Sequence, residues 1–454
     1  MSHAALDGAP KGVFTRAIQA MCLGLLFALL WLATRAVPEA HSRVGTIAAV
    51  GFLLLAGTLT SELVEVIGLP HLTGYLLAGI VAGPHVLRLI DEESVQDLSQ
   101  VNALALALIA LEGGAHLRAG ALRKGARSLA WATLTQHVLV LVTMTGVFMG
   151  LRAYIPFAAS LGTSALLGCG LLWGVLAVTR SPAATLGILS QTRARGPIMD
   201  GTLSFVMTSD LIVVILLAAA MAVARPLLDP TATFSLADFQ ALGHEIVGSV
   251  SLGTTLGLIL AAYLRLVGTQ LIVVFIALGF GMTSMLQFLH FEPLLAFMVA
   301  GFAVQNLSKQ GEKFLAGAEQ AGSLVYVVFF ATAGAHLDLP LLARLWPIAL
   351  ALAGTRALAT WIASRSASRL AGDGPVLRRW GFAGLISQAG LALGVSTLIE
   401  RAFPALGNGF RVLTLATVAL NEMVGPVLFK FALDRAGETS REASPSLHSI
   451  PPPA

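Results

Sequence analysis

In this 454-residue chain the residues able to do chemistry centre on Asp210, in Thr208-Ser209-Asp210-Leu211, inside an apolar run from Met199 to Ala224. A carboxylate at hydrocarbon depth costs roughly 3 kcal/mol or more, so a chain keeps one chiefly where it faces a cavity. Burial penalises its charge. Near neutral pH such a group holds either a proton or a small cation but not both, which is the elementary step of exchanging one for the other. The bland alternative is an aspartate locked in a structural ion pair.

Other polar residues share that depth. Thr179-Arg180-Ser181-Pro182 interrupts the preceding apolar stretch, and Pro182 removes a backbone donor while frustrating the carbonyl four residues earlier. A helix breaks there. Ser387-Gln388-Ala389-Gly390 forms a second polar, flexible interruption in the later half. Two interrupted spans at matching positions point to a transport site, because freed carbonyls and half-helix ends coordinate ions. Arg356 lies mid-span, keeps its proton, and needs a carboxylate or half-helix carbonyls. Asp210, Glu422 and Glu112 are its candidate partners, with Glu422 (beside Asn421) or Asp210 expected. Arg180 instead caps its own half-helix. His116 and His336 sit at span ends, where they either sense pH or serve as helix-terminal hydrogen-bonding groups. His137, next to Gln136, lies deeper without a clear partner.

The elements that must position these groups follow from composition. The chain is 56% hydrophobic and 11% charged, with a mean hydropathy of +0.82, which describes an integral membrane protein. Apolar segments of about 17 to 25 residues recur, so the fold class is all-α and polytopic. About 13 core helices are expected, with a further apolar segment at 14–33 read as an extra helix or a signal peptide's core. The domain reading is an N-terminal extension over 1–43, a membrane domain over 44–433, and a disordered tail over 434–454. Of the 28 basic residues, 18 fall on one face by loop alternation and 8 on the other, with Arg180 and Arg356 inside spans. The positive-inside rule makes the richer face, with the C-terminus, cytoplasmic. The expected location is a multi-pass plasma membrane, the inner membrane in bacteria. Cys22 and Cys169 lie in separate apolar segments and imply neither a disulfide framework nor a metal cluster. No nucleic-acid surface is expected, and no His-Glu-x-x-His pair or other catalytic motif argues for an enzyme.

An internal repeat organises the membrane domain. LTGYLLAG at Leu72–Gly79 resembles LLAFMVAG at Leu294–Gly301, and Gly114-Ala-His-Leu117 recurs as Gly334-Ala-His-Leu337. The offsets, 222 and 220, are nearly equal. The copies start an odd number of helices apart, so they are inverted: repeat one over about 44–224, a linker helix over about 243–264, and repeat two over about 268–433. Inverted repeats of six helices characterise secondary transporters. The repeat pairs Asp210's span with that of Asn421-Glu422, and Gln136 with Arg356.

With those residues in view, the chain resembles the Kef-type branch of the monovalent cation/proton antiporters over about 44–433. LPHLTGYLLAGIVAGP at Leu69–Pro84, Arg180-Ser-Pro182, Asp210 and NEMVGP at Asn421–Pro426 carry the likeness. The resemblance implies a homodimer in which one helix panel is a scaffold and the other moves the ion site by elevator-like displacement. It places the essential carboxylate at Asp210, with Thr179, Ser181 and Ser209 around it and Arg356 opposite. The transported species would be Na+ or K+ and H+, with no cofactor. Ser209 stands where relatives commonly carry Asp, Asn or Gln, and with one acid titrating per cycle the exchange is expected to be electroneutral. His116 replaces a common Glu. No Gly-rich strand-turn-helix pattern follows Leu433, so no attached nucleotide-binding regulatory domain is expected. The rival readings are a symporter or organic-anion carrier on an inverted-repeat scaffold, and a non-transporting membrane sensor or assembly protein.

Overall fold

The computed structural model describes residues 21–26, 28, 43–90, 98–229, 237–268, 270–289, 291–406 and 408–439. Among them the chain is helical and forms no strand. The first half comprises α1 (Arg43–Glu65), α2 (His71–Ala82), α3 (Ser99–His116), α4 (Ala119–Lys124), α5 (Ala126–Gly150), α6 (Thr163–Val178), α7 (Pro182–Thr192) and α8 (Pro197–Leu228). After α9 (Ala237–Leu266) come α10 (Leu271–Phe288), α11 (Pro293–Leu307), α12 (Gly311–Ala335), α13 (Leu339–Ala371), α14 (Pro375–Trp380), α15 (Gly390–Ala402) and α16 (Gly409–Ala436).

Seven helical stretches among the described residues are long and apolar enough to cross a bilayer unaided, or eight if the bent α12 counts as one span. The sequence pattern counts more, because it gives short helices full span length. The expected span 71–90 ends as a helix at Ala82, where Gly83 is extended and Pro84 cannot continue the ladder. The span at 160–190 is α6 plus α7, and the span at 380–399 becomes a 3-10 turn at Ala383–Leu385 followed by α15. The C-terminal boundary also moves: α16 continues past Leu433 to Ala436 and stops on Gly437, whose φ of 71° suits a left-handed cap. Of the expected N-terminal helix, residues 21–26 and 28 are described and are helical. The rest of it, and the tail from residue 440, lie outside the described residues.

Two bundles result. One joins α5, α6, α8, α13, α15 and α16 around Val140, Met144, Phe148, Leu172 and Phe410, with the Trp173 ring 5.5 Å from both Phe148 and Phe410. The other gathers α1 to α3 with α9 to α12. Between them runs a seam of Leu72, Ile109, Leu186, Met207, Phe330 and Phe429.

The duplicated motifs meet crosswise in the second bundle. A Cβ on Gly79 (α2) would collide with the Ala331 carbonyl (α12), and one on Gly334 (α12) with that of Leu76 (α2). In the other crossing Gly301 (α11) abuts the Leu111 carbonyl (α3), and Gly114 (α3) that of Met298 (α11). Shifting the first set by the repeat offsets reproduces the second. Helices in lipid associate through such small-residue contacts, since apolar tails offer them no hydrophobic drive. The recurrence of LTGYLLAG-like and GAHL segments is therefore a packing requirement met twice.

Candidate functional site

The first break follows from Pro182. With its i−4 carbonyl frustrated, α6 stops at Val178, Thr179 and Ser181 are extended, and Ser181 caps α7 by accepting a hydrogen bond from Ala184 N–H at 3.1 Å. The C-terminal carbonyls of α6 are thereby orphaned at membrane depth. Two buried arginines and a glutamine satisfy them. Arg180 Nη1 donates to Ala177 O (3.1 Å) and Thr179 O (3.0 Å), and its Nη2 donates to Gln136 Oε1 (3.1 Å). Arg356 Nε donates to Ala177 O (2.8 Å), Nη2 to Thr179 O (2.9 Å) and Nη1 to Ile386 O in the second break (2.7 Å). Gln388 Nε2 donates to Leu176 O (3.1 Å) and Thr179 Oγ1 (2.9 Å), while its Oε1 accepts from Asn421 Nδ2 (2.8 Å). The two interruptions are thus stitched together.

These bonds correct one expectation. Arg356 forms no ion pair with Glu422, Asp210 or Glu112 among the described residues; its fork matches two carbonyls at the negative end of the α6 half-helix and one in the second break. Arg180 caps its own half-helix in the expected way, and Gln136, the repeat mate of Arg356, bridges Arg180 to the Thr360 carbonyl (3.1 Å). Glu422 is buried, with Oε1 unpartnered. Ser387 packs against Gly425 of α16.

Asp210 stands on α8 facing a cavity along the seam. Its Oδ1 is shielded from solvent and has no hydrogen-bond partner, and the residue forms no ion pair among those described. Around it are Ser181, Pro182 and Ala183 at the start of α7, Ala389 and Gly390 at the start of α15, and Glu292 at the start of α11. Three helix N-termini therefore converge, and their positive dipole ends favour carboxylate charge. Of the four residues expected at the ion, Asp210 and Ser181 line the cavity. Ser209 is turned away: its Oγ lies 3.1 Å from His137 Nε2, while His137 Nδ1 meets Thr133 O at 2.8 Å. Thr179 is committed to Leu176 O (2.8 Å) and Gln388.

A wider void opens on the basic face, between Arg118, Lys124, Arg195 and Glu312, and along α8 its wall reaches Phe205. The Asp210 cavity begins at Met207. Along α8 the two spaces are thus only two residues apart, about half a turn of helix, with Asp210 inside the second.

Glu112 belongs elsewhere. It is buried in the second bundle, where Tyr326 Oη donates to Oε2 at 3.0 Å and Oε1 has no partner. His116 Nδ1 lies 3.0 Å from the Glu112 carbonyl and Nε2 3.3 Å from Glu319. His336 repeats the first contact with Thr332 O at 2.9 Å, so the duplicated histidines share a helix-terminal bond. Glu292 escaped the sequence reading because Glu-Pro before an apolar helix reads as an ordinary N-cap.

A family model described as sodium/hydrogen exchanger, transmembrane, matches residues 49–435. No curated protein matches the chain. Among solved structures the fold resembles a sodium proton antiporter, MjNhaP1 from Methanocaldococcus jannaschii, determined at pH 8, with a TM-score of 0.63 and 16% identity over 86% of this chain and 98% of that one. An electron-microscopy structure of the same antiporter gives a TM-score of 0.64 and 16% identity over 88% and 100%. At that identity the likeness concerns the fold.

Proposed function

The chain belongs to the sodium/hydrogen exchanger family, and we propose that it exchanges a monovalent cation, Na+ or K+, for H+ at Asp210 by elevator-type alternating access. One observation carries this reading: the Asp210 carboxylate is unpaired, faces a cavity between two bundles, and is flanked by two broken helices. A structural ion pair would have consumed it. An unpaired buried carboxylate is instead neutralised by a proton or a cation in turn.

The α5–α8 and α13–α16 bundle is the moving part, because it holds both breaks, the two buried arginines and Asp210. The bundle of α1–α3 and α9–α12 is the scaffold, and a homodimer formed through it keeps it still. The inverted arrangement of the repeats supplies the two alternative positions. The LPHLTGYLLAGIVAGP motif and the Arg180-Ser-Pro182 break support the Kef-type branch. The concentration of arginine and lysine around the wider void supports a cytoplasmic face there, with the C-terminus on that side of a plasma membrane. An organic-anion carrier fits less well, since carboxylates in the cavity repel an anion.

The test is cation-driven proton movement by purified protein in proteoliposomes, compared with Asp210→Asn. The variant keeps the shape of the side chain and removes its charge. Exchange should vanish while the folded yield is retained; undiminished exchange by the variant removes the proposal.

A further inference from the structure

The wall of the Asp210 cavity holds a second carboxylate, contributed by the opposite bundle. Glu292 is the N-cap of α11, and its Oε1 accepts only a long bond from Leu294 N–H, at 3.4 Å. A cap at that distance is weak. Its Oε2 has no protein partner among the described residues. The backbone is held firmly, because Glu292 N–H donates at 2.9 Å to Ser249 Oγ, itself fully buried on α9. Across the cavity, Asp210 Oδ1 is buried and unpartnered. No Arg, Lys or His lines that wall among the described residues. Two carboxylates confined in a mostly apolar space repel one another, and a cation between them removes the repulsion.

The cavity also has a direction. Along α8 its wall runs from Met207 through Asp210 to Val214, away from Arg195 and toward Arg225. Along α11 it starts at Glu292 and ends at Met298, before Lys309. Arg195 and Glu312 line the wider void together, so the start of α8 and the end of α11 share one face. Glu292 and Val214 therefore point to the other face.

We propose that Glu292 is a second carboxylate ligand of the transported cation, meeting it together with Asp210 in this conformation, on the side opposite Lys309. The inference rests on the exchange reading of Asp210. Since Glu292 and Asp210 belong to different bundles, displacement of one bundle past the other leaves the cation with Asp210 alone. The cation thus has two carboxylates when facing one side and one when facing the other.

The test is sided flux in oriented proteoliposomes, with Na+ and K+ as the probes and Glu292→Gln as the variant. The apparent KM for the cation should rise by about tenfold or more on the Glu292 face, the loss of one charge-assisted contact, and stay near wild type on the other. An unchanged KM on both faces, or an equal rise on both, overturns the assignment. If Glu292→Gln does not fold, Glu292→Asp decides: it keeps the charge and shortens the reach, so a KM change on the same face supports the ligand role and no change removes it. The Asp210→Asn control separates the two readings. Wild-type protein without exchange would end the Asp210 reading, whereas exchange that needs Asp210 and ignores Glu292 ends only this one.

Discussion

Arg356 Nη2 donates to the Thr179 carbonyl at 2.9 Å, and through that bond α13 holds the open end of the broken α6. Two further donors of the same guanidinium reach Ala177 O and Ile386 O, so one side chain closes carbonyls from both interruptions. An ammonium presents a point charge and cannot span three acceptors in a plane. Arg356→Lys should therefore lose most transport and lower the unfolding temperature, while Arg356→Ala, which strips the Ile386 carbonyl of its donor and leaves the Ala177 and Thr179 carbonyls to Arg180 alone, should cost about 1–3 kcal/mol for the unmet carbonyl and more for the lost bonds, and give little folded protein. Thermal unfolding in detergent together with flux measurements checks both, and a lysine variant equal to wild type would contradict the role.

The crossings of the second bundle make a paired prediction. Gly79→Ala and Gly301→Ala each put a methyl group into a facing carbonyl, of Ala331 and Leu111 respectively. Backbone cannot move aside cheaply, so each should cost about 1–3 kcal/mol, and by similar amounts because the contacts are copies of one another. Gly146→Ala on α5, where nothing lies within 4 Å of the new methyl, is the control and should be neutral or stabilising. Unfolding midpoints of the three variants decide it.

The parts of the site legible in the sequence were those that break a local rule. Asp210 in an apolar run, Pro182 in a helix interior and Arg356 at mid-span each violate what a plain membrane helix permits, and all three are now seen close to the two interruptions. Residues that obey a local rule were invisible: Glu292 reads as a helix cap until the fold brings α11 beside α8. Partner choice was equally hidden. Nothing in spacing distinguishes a carboxylate from the carbonyls of a half-helix as the neighbour of Arg356, because the three-dimensional crossing of two breaks creates those acceptors. The recurring motifs, by contrast, were readable because four close backbone approaches demand glycine.

Ser181 and Ser209 flank Asp210 in different senses, and the difference is measurable. Ser181 lines the cavity, whereas the Ser209 hydroxyl is turned to His137 Nε2 at 3.1 Å. Ser181→Ala should weaken apparent cation affinity and lose the α7 cap, worth about 1 kcal/mol. Ser209→Ala should leave cation affinity near wild type and cost about 1–3 kcal/mol through an unpaired imidazole nitrogen. Comparing KM with the unfolding midpoint for each variant separates the roles; a large KM effect confined to Ser209→Ala would reverse the assignment.

The helix carrying Asp210 begins on a cap supplied from the far end of the chain. Ile198 N–H donates to Glu438 Oε1 at 2.8 Å, Met199 N–H donates to Oε2 at 2.9 Å, and Arg195 N–H donates to the Glu438 carbonyl at 2.9 Å. A carboxylate on two free amides at a helix N-terminus satisfies orphan donors and the dipole together. Glu438→Ala should cost about 1–2 kcal/mol, with faster amide exchange concentrated at Ile198 and Met199. Glu438→Gln keeps one acceptor and should lose less. Exchange rates in the first turn of α8 that do not change on removing the carboxylate would show that the cap contributes nothing.

If the bundle of α5, α6, α8, α13, α15 and α16 moves as proposed, the charge it carries fixes the response to membrane potential. Arg180 and Arg356 keep their charge throughout, so they contribute equally to both directions of movement. In the proposed cycle Asp210 crosses with a proton one way and a monovalent cation the other, neutralised each time. Glu292 sits on the opposite bundle and does not travel, so a second carboxylate in the cavity adds no charge to the crossing. Exchange should accordingly be electroneutral, one cation for one proton. If one net charge moved per cycle instead, 100 mV would be worth about 2.3 kcal/mol and would shift the ion ratio at which flux reverses by roughly fortyfold. Proteoliposomes with an imposed potential at fixed cation and pH gradients read that ratio directly, and a reversal point that stays put as the potential is varied is the expected result.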